Sequence, residues 1–398
     1  MKKWIYLMIA NFSGVFNDNF LKNAIVFVAT TWTLPGWLTL SQLISLVSAS
    51  LVLPYIVLSP YSGLLTTRFS KIRIFKFFKL IEFPIMALAS LAFIMEWAII
   101  AIISVFLMGI QSCLYSPAKY GLIKDLGGND ESAFGSGLFE AMAFAGILIG
   151  TVAASFLSDY GRTWIFIFIF FLAAFLGYFA VTRIKVNELV SIKSKDNKVS
   201  INPFVFLKNA YSYAVSLKRV QSAIVGVALF WMIGALLQMN LILHAKNYYL
   251  LSNTKTGVIM SVAAIGIAIG TWISGVAASK IKSGRLMIGG LSGMIVSLLI
   301  IIFCQIDYEL FLLMIFLTTL SAGFFQVPNL AIIQKADSGS RHGELLAYMN
   351  LMIFIFVLIA SLLFSIVSYV FQENSIAVFA IVLIICVFVL IGVATRKL

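Results

Sequence analysis

Long apolar runs broken at short intervals by small polar turns set the pattern of this chain. A helix needs about 20 predominantly apolar residues to cross the hydrocarbon core of a bilayer. Twelve segments come near or exceed that length: 4–30, 37–59, 74–95, 97–120, 133–156, 161–182, 219–245, 255–279, 285–304, 308–335, 344–370 and 374–395. Numbered in order as spans 1–12, they predict an all-α integral membrane protein with twelve transmembrane helices. Spans and tight turns use up nearly all 398 residues, which leaves no room between them for a soluble catalytic domain.

Composition agrees with the pattern: 62% of residues are hydrophobic and 11% charged. A formal charge of +13 raises the question of nucleic acid, and the placement of the charges answers it. With both termini on the cytoplasmic side, Lys2, Lys3, Arg68, Lys71, Arg73, Lys124, Arg183, Lys185, Lys193, Lys195, Lys198, Lys208, Lys280, Lys282, Arg285, Lys335, Arg341, Arg396 and Lys397 fall inside. The opposite loops hold Arg162, Lys246 and Lys255 beside Asp159, Asp307, Glu309 and Glu373. That is the positive-inside bias of a membrane protein with an even number of spans. It explains the basic balance without a nucleic-acid partner. Lys2-Lys3 before an apolar run resembles a signal peptide, but Asn11 and Asn17–Asn19 interrupt the run and it continues to full span length, so an uncleaved first helix is expected. Cys113, Cys304 and Cys386 lie in separate spans without metal or redox spacing and read as small buried hydrophobes.

The one long polar stretch, 184–217, contains Lys185, Glu188, Lys193, Lys195, Asp196 and Lys198 and divides the spans six and six. The predicted organisation is an N-terminal six-helix bundle over 1–183, a cytoplasmic linker over 184–217 and a C-terminal six-helix bundle over 218–398. A weak repeat supports two parallel halves. Gly63-Leu-Leu-Thr-Thr-Arg68-Phe-Ser-Lys71-Ile-Arg73 follows span 2, and Gly275-Val-Ala-Ala-Ser-Lys280-Ile-Lys282-Ser-Gly-Arg285 follows span 8, about 212 positions later. At nearly the same offset Pro117 corresponds to Pro328 and Glu140 to Asn350. Glycine permits close helix approach, and the cations that follow stay in water at a helix C-terminus. This loop resembles the signature loop of the major facilitator superfamily, in which an acid precedes the first arginine; Thr67 and Ser279 stand there instead. The resemblance assigns Gly63, Arg68, Arg73, Gly275, Lys280 and Arg285 to gating loops. It also implies that span 5, with Gly146-x-x-x-Gly150, faces span 8, with Gly266-x-x-x-Gly270, across the boundary between the halves.

Polar residues within the spans carry the functional signal. Span 1 contains Asn11-Phe-Ser-Gly-Val-Phe-Asn-Asp-Asn-Phe-Leu-Lys22, which puts Asp18 and Lys22 four residues apart on one helix face. Asp18 lies roughly 21 Å along the span at 1.5 Å per residue, near mid-membrane. Glu140 is near mid-depth in span 5, Glu82 precedes Pro84 in span 3, and Lys119 is toward the cytoplasmic end of span 4. Asn19, Gln111, Gln238, Asn240, Gln326, Asn329 and Asn350 add neutral polar groups. Charges at this depth are costly and mark substrate or ion pathways unless they neutralise one another. Two readings follow: a polar cavity in which acids and amides meet a zwitterionic headgroup, or structural pairs Asp18–Lys22 and Glu140–Lys119. His244 is expected at the membrane interface and His342 solvated in a loop.

Together the motifs are similar to those of the lysophospholipid transporter family of the major facilitator superfamily. The matching pieces are Gly14-Val-Phe-Asn-Asp18-Asn19, Tyr115-Ser-Pro-Ala-Lys119-Tyr-Gly121, Gly137-Leu-Phe-Glu140-Ala and Phe325-Gln-Val-Pro328. The form Phe-Asn-Asp-Asn…Lys-Asn, with Lys79-Leu-Ile-Glu82, resembles the branch fused to acyltransferase and acyl-carrier-protein ligase domains. The resemblance implies an alternating-access carrier in the bacterial inner membrane. It would move lysophospholipids, such as lyso-phosphatidylethanolamine, from the outer to the inner leaflet for reacylation. Membrane lipids, a coupling proton or sodium ion and a cytoplasmic acyltransferase or ligase are the implied partners, with a monomeric chain, no cofactor and no metal. Family positions fall on Asp18, Asn19, Lys119 and Glu140, and Gln238 stands where better-known members carry an arginine suited to a lipid phosphate.

An embedded enzyme would need a nucleophile, base or metal set at membrane depth. The chain has two histidines and no HExxH or GxSxG motif. A scaffold or sensor would leave the mid-membrane acids unexplained. The nearest competing expectation is a related carrier that exports or imports another amphiphile, a drug or a small solute.

Overall fold

A computed structural model describes residues 3–29, 32, 34, 36, 40–158, 162–188, 202–251, 253–372 and 374–395. Lys2, Asp159, Lys193, Lys195, Asp196, Lys198, Glu373, Arg396 and Lys397, assigned to loops and termini above, lie outside the described residues. The described chain is helical and without strands. Its first six helices are α1 (Ile5–Val28), α2 (Leu40–Arg68), α3 (Lys71–Met95), α4 (Ala98–Gly127), α5 (Ser132–Ser158) and α6 (Thr163–Arg183). After the short α7 (Pro203–Ser216) come α8 (Val220–Asn247), α9 (Asn253–Ala277), α10 (Ser283–Phe303), α11 (Tyr308–Lys335), α12 (His342–Val370) and α13 (Ser375–Thr395). The α1–α6 and α8–α13 helices are the twelve predicted spans.

Among the described residues eleven helices meet the length and hydropathy of a membrane span, and α1 is the exception. It has the length, 24 residues, but Asn11, Ser13, Asn17, Asp18, Asn19, Lys22 and Asn23 lower its hydropathy. In lipid, helices associate through close packing rather than through the hydrophobic effect, and polar groups face inward. Accordingly α1 buries Asn11, Ser13 and Asn17. The linker is not wholly irregular, because Asn202 caps Phe204 and Val205 and Pro203 occupies the first turn of α7.

Contacts sort the chain into two compact units that cut across chain order. The first comprises Met1–Gly128, Ala145–Leu217 and Asp337–Leu351; the second comprises Asn129–Phe144, Lys218–Ala336 and Met352–Leu398. In the first unit an aromatic core joins α1, α3 and α6: Phe20 lies 5.8 Å from Phe166 and 5.5 Å from Phe170, and Phe93 lies 5.3 and 5.4 Å from the same two rings. The start of α12 packs on α2, where Ala347 Cβ is 3.2 Å from the place a Cβ would take at Gly63. In the second unit the start of α5 packs on α9 through Gly137 and Gly275. The ring of His244 is surrounded by Tyr248, Tyr249, Phe311 and Phe379.

Several expectations need correction. Gly146 and Gly150 of α5 pack against the α1 backbone at Phe12 and Phe16, whereas Gly266 and Gly270 of α9 pack against α11 at Phe316 and Leu320. Each small-residue motif therefore serves a contact within one unit, while span 5 does meet span 8, as expected, but at Gly137 and Gly275. His244 lies in the last turn of α8, as expected, and is buried there with its Nδ1 2.8 Å from Ser375 Oγ. His342 is not solvated: it is 3% exposed, with Nδ1 2.7 Å from Ser338 Oγ. Cys304 is exposed at the end of α10, while Cys113 and Cys386 are buried. Lys71 does not stay in water; it is buried and pairs with Asp125 at 2.6 Å, joining the start of α3 to the end of α4.

Candidate functional site

A buried polar network runs through the first unit where α1, α3 and α4 meet. Its centre is an ion pair on a single helix: Lys79 Nζ donates to Glu82 Oε2 at 2.6 Å, and both side chains are 0% exposed. Residues three apart on a helix are surface neighbours, so α3 presents the pair ready-made. Asn17 of α1 donates from Nδ2 to Glu82 Oε1 at 2.6 Å, so both carboxylate oxygens have donors. Two glycines make room for the ammonium. A Cβ at Gly14 of α1 would stand 2.9 Å from Lys79 Nζ, and one at Gly177 of α6 would stand 3.0 Å from it. Lys79 thus lies in a slot between α1 and α6 that larger residues would close.

Tyr115 of α4 sits between two cations. Lys79 Nζ is 5.9 Å and Lys119 Nζ 5.4 Å from its ring centroid, within the range of cation–π attraction. Phe75 stacks on the same ring at 5.1 Å. Lys119 is buried and donates to Asn11 Oδ1 at 3.2 Å. Asn350, from the part of α12 that belongs to this unit, donates to Ser116 Oγ at 2.8 Å.

Asp18 is differently placed. It is half-buried, and the Ser112 hydroxyl donates to it with Oγ 2.9 Å from Oδ2 and 3.1 Å from Oδ1. Among the described residues no ion pair joins Asp18 to Lys22, although both are half-buried on the same face of α1. Glu82 is neutralised and enclosed, while Asp18 is half-buried and hydrogen-bonded by the Ser112 hydroxyl rather than by a cation. Asn19 turns back to its own helix, donating to Val15 O at 2.8 Å. Gln111 donates to Phe78 O at 3.0 Å and so ties α4 to α3.

The remaining candidates lie in the second unit or at helix ends beside the turns after α2 and α9. Glu140 of α5 is buried. Gln326 of α11 is fully buried, with neither amide atom hydrogen-bonded. Gln238 of α8 is exposed. Gly63 and Gly275 are buried packing residues, whereas Arg68, Arg73, Lys280 and Arg285 are exposed, as cations at helix ends should be. Sequence reasoning missed the roles of Lys79, Asn17, Ser112 and Gly177. The i,i+3 spacing of Lys79 and Glu82 was a usable signal; nothing in the sequence paired Gly177 with Lys79.

Among the described residues, twelve long helices and a charged, hydrogen-bonded network between them define a polytopic transport protein of the secondary-carrier type. The chain belongs to the Major Facilitator Superfamily, whose sequence pattern it matches over residues 7–361. Within the superfamily it is an LplT-like member. It is 28% identical over 336 residues to the lysophospholipid transporter LplT of Photorhabdus laumondii, covering 83% of this chain and 79% of the relative. It is 26% identical over 349 residues to the protein of the same name from Escherichia coli strain SE11, covering 87% and 83%. Among solved structures, the E. coli fucose:proton symporter FucP aligns with a TM-score of 0.72 at 15% identity, covering 97% of this chain and 98% of FucP. A bacterial homologue of the iron transporter ferroportin, in an outward-facing state, aligns with a TM-score of 0.70 at 16% identity over the whole of both chains. These two show the fold. The protein is a multi-pass membrane transporter.

Proposed function

We propose that this transporter carries lysophospholipids, such as lyso-phosphatidylethanolamine, from the outer to the inner leaflet of a bacterial inner membrane, where they are reacylated. The observation that carries the reading is the contrast between the two acids of the first unit. Glu82 is enclosed with Lys79 and Asn17, whereas Asp18 is half-buried and, among the described residues, hydrogen-bonded by the Ser112 hydroxyl and in no ion pair. Asp18 is the acid suited to a headgroup amine or a coupling cation. Lys119 and, in the second unit, Glu140 complete the proposed set, with Lys119 answering the lipid phosphate. The names of the relatives support the substrate class. The excess of Lys and Arg in one set of loops supports both termini in the cytoplasm.

A second reading, a carrier of another amphiphile, draws on Gln238: an exposed neutral amide gives a phosphate no cation. The test is uptake of labelled lyso-phosphatidylethanolamine by cells lacking their own lysolipid carrier, with wild type, Asp18→Asn and Glu140→Gln compared at matched expression. Uptake by wild type and its loss in both variants is the expected result. Absence of uptake by well-expressed wild type would reject the substrate. Wild-type rates in Asp18→Asn would reject the role of its charge.

A further inference from the structure

The short helix α7 has three distinct faces. Phe206, Ala210 and Ala214 are buried, and Phe206 comes within 3.7 Å of a Cβ placed at Gly63 of α2. On the edge of that face, the Tyr213 hydroxyl donates to Ser338 O at 3.1 Å and its ring carries the Arg341 guanidinium 3.6 Å from the centroid. Glu344 holds that guanidinium through two hydrogen bonds of 2.7 and 2.8 Å. Burial pushes the Tyr213 phenol up from its ordinary value, with Glu344 and Asp337 adding to the rise and Arg341 opposing it, so the phenol remains a donor at neutral pH. The second face, Val205, Asn209, Ser212 and Ser216, is exposed and polar except for Val205 at its start.

The third face is the unexplained one. Phe204, Lys208, Tyr211 and Val215 follow one another at helical spacing and are all exposed, Phe204 at 81%. Between Asn202 and Arg219 the cations are Lys208, Lys218 and Arg219, and there is no acid. Only Leu217–Arg219 separate α7 from α8, a membrane span, so at up to about 3.6 Å per residue step the end of α7 lies within roughly 14 Å of the start of that span. Aromatic and apolar side chains interleaved with cations at that level match an interfacial helix.

We propose that the Phe204–Lys208–Tyr211–Val215 face of α7 docks on the headgroup layer of anionic phospholipids, with Phe204 and Val215 in the upper acyl region and Lys208, Lys218 and Arg219 on lipid phosphates. The charge favours anionic lipid over zwitterionic lipid, since basic residues close to a membrane are drawn to its negative surface potential. The tether to α8 favours the bilayer over a soluble partner. Through Phe206 and Tyr213 the docked helix would brace α2 and the Asp337–Leu351 segment, which makes the lipid a structural ligand of the first unit.

The test uses the full-length transporter in nanodiscs, with Cys304→Ser to remove the exposed thiol and single spin labels at Phe204, Tyr211, Asn209 or Ser212. In phosphatidylglycerol nanodiscs the labels at 204 and 211 should show an oxygen-to-aqueous-relaxant accessibility ratio several-fold above those at 209 and 212. That ratio should fall in phosphatidylcholine nanodiscs and in the Lys208→Gln/Lys218→Gln/Arg219→Gln variant. Equal aqueous access at all four positions in phosphatidylglycerol would overturn the docking. Labels at 204 and 211 shielded from both oxygen and the aqueous relaxant would point to a protein partner and overturn it too. An unchanged ratio in phosphatidylcholine would overturn the anionic preference.

Discussion

Gly137 of α5 and Gly275 of α9 pack backbone to backbone: a Cβ at Gly137 would stand 2.8 Å from Gly275 Cα and 2.5 Å from Thr271 O. About 210 positions away in each case, Gly63 of α2 meets Ala347 of α12. The repeat visible in the sequence thus reappears as two equivalent helix contacts, one in each unit. The second is looser, because its partner is a side-chain methyl at 3.2 Å rather than a backbone.

This asymmetry ranks three substitutions. Gly137→Ala forces a methyl into backbone and should cost about 1–3 kcal/mol by overpacking. Gly275→Ala, whose nearest atoms are at 3.1–3.3 Å, should cost less. Gly63→Ala should cost least, since the Ala347 methyl it meets can give more readily than a backbone. Thermal unfolding in one detergent would check the order, and a Gly63 variant less stable than Gly137→Ala would refute it.

The buried pair on α3 makes a sharper prediction. Lys79→Met or Glu82→Gln alone leaves a charge enclosed without its partner, which should cost about 3–5 kcal/mol. The double variant removes both charges while keeping an acceptor for Asn17, and it should recover most of that loss. Single variants as stable as wild type would mean that the pair is not enclosed as described.

Asp18 should behave in the opposite way. Asp18→Asn is expected to lower transport more than about tenfold while shifting the unfolding temperature by only a degree or two, as at sites outside the packed core. Ser112→Ala removes the hydrogen bond to the Asp18 carboxyl, worth about 0.5–1.5 kcal/mol, and should weaken transport less than loss of the acid. A large drop in stability for Asp18→Asn would make Asp18 a structural residue like Glu82.

The glycine slot can be tested by coupling. Gly177→Ala crowds the Lys79 ammonium at 3.0 Å and should destabilise wild type. In a Lys79→Ala/Glu82→Ala background the same change should cost little, because the crowded group is gone. Contacting residues give interaction energies of about 0.5–3 kcal/mol in such cycles, and additive losses would show that Gly177 acts elsewhere.

Much of the architecture was legible because a membrane imposes it. Spans follow from apolar length, whereas the two compact units exchange parts of α5 and α12 across the division drawn from the polar break. The polar interior was legible in part. Asp18 announced itself through the cost of a charge at that depth. What stayed hidden depends on which helix meets which. Gly146 and Gly150 carry a motif for close packing that does not name its partner, and α1 rather than α9 supplies it. Lys71 and His342 looked like residues in water, and only packing by neighbouring elements buries them.

The position of Lys79 and Glu82 one turn apart on α3 also bears on how the protein is made. A helix with a lone lysine at that depth would resist partitioning into lipid until another helix brought a counter-ion. Here α3 carries its own, so the deep part of the segment can enter lipid with that lysine already neutralised. The glycines of α1 and α6 then have only to close around a pair already formed, and membrane insertion of α3 does not depend on which of them arrives first.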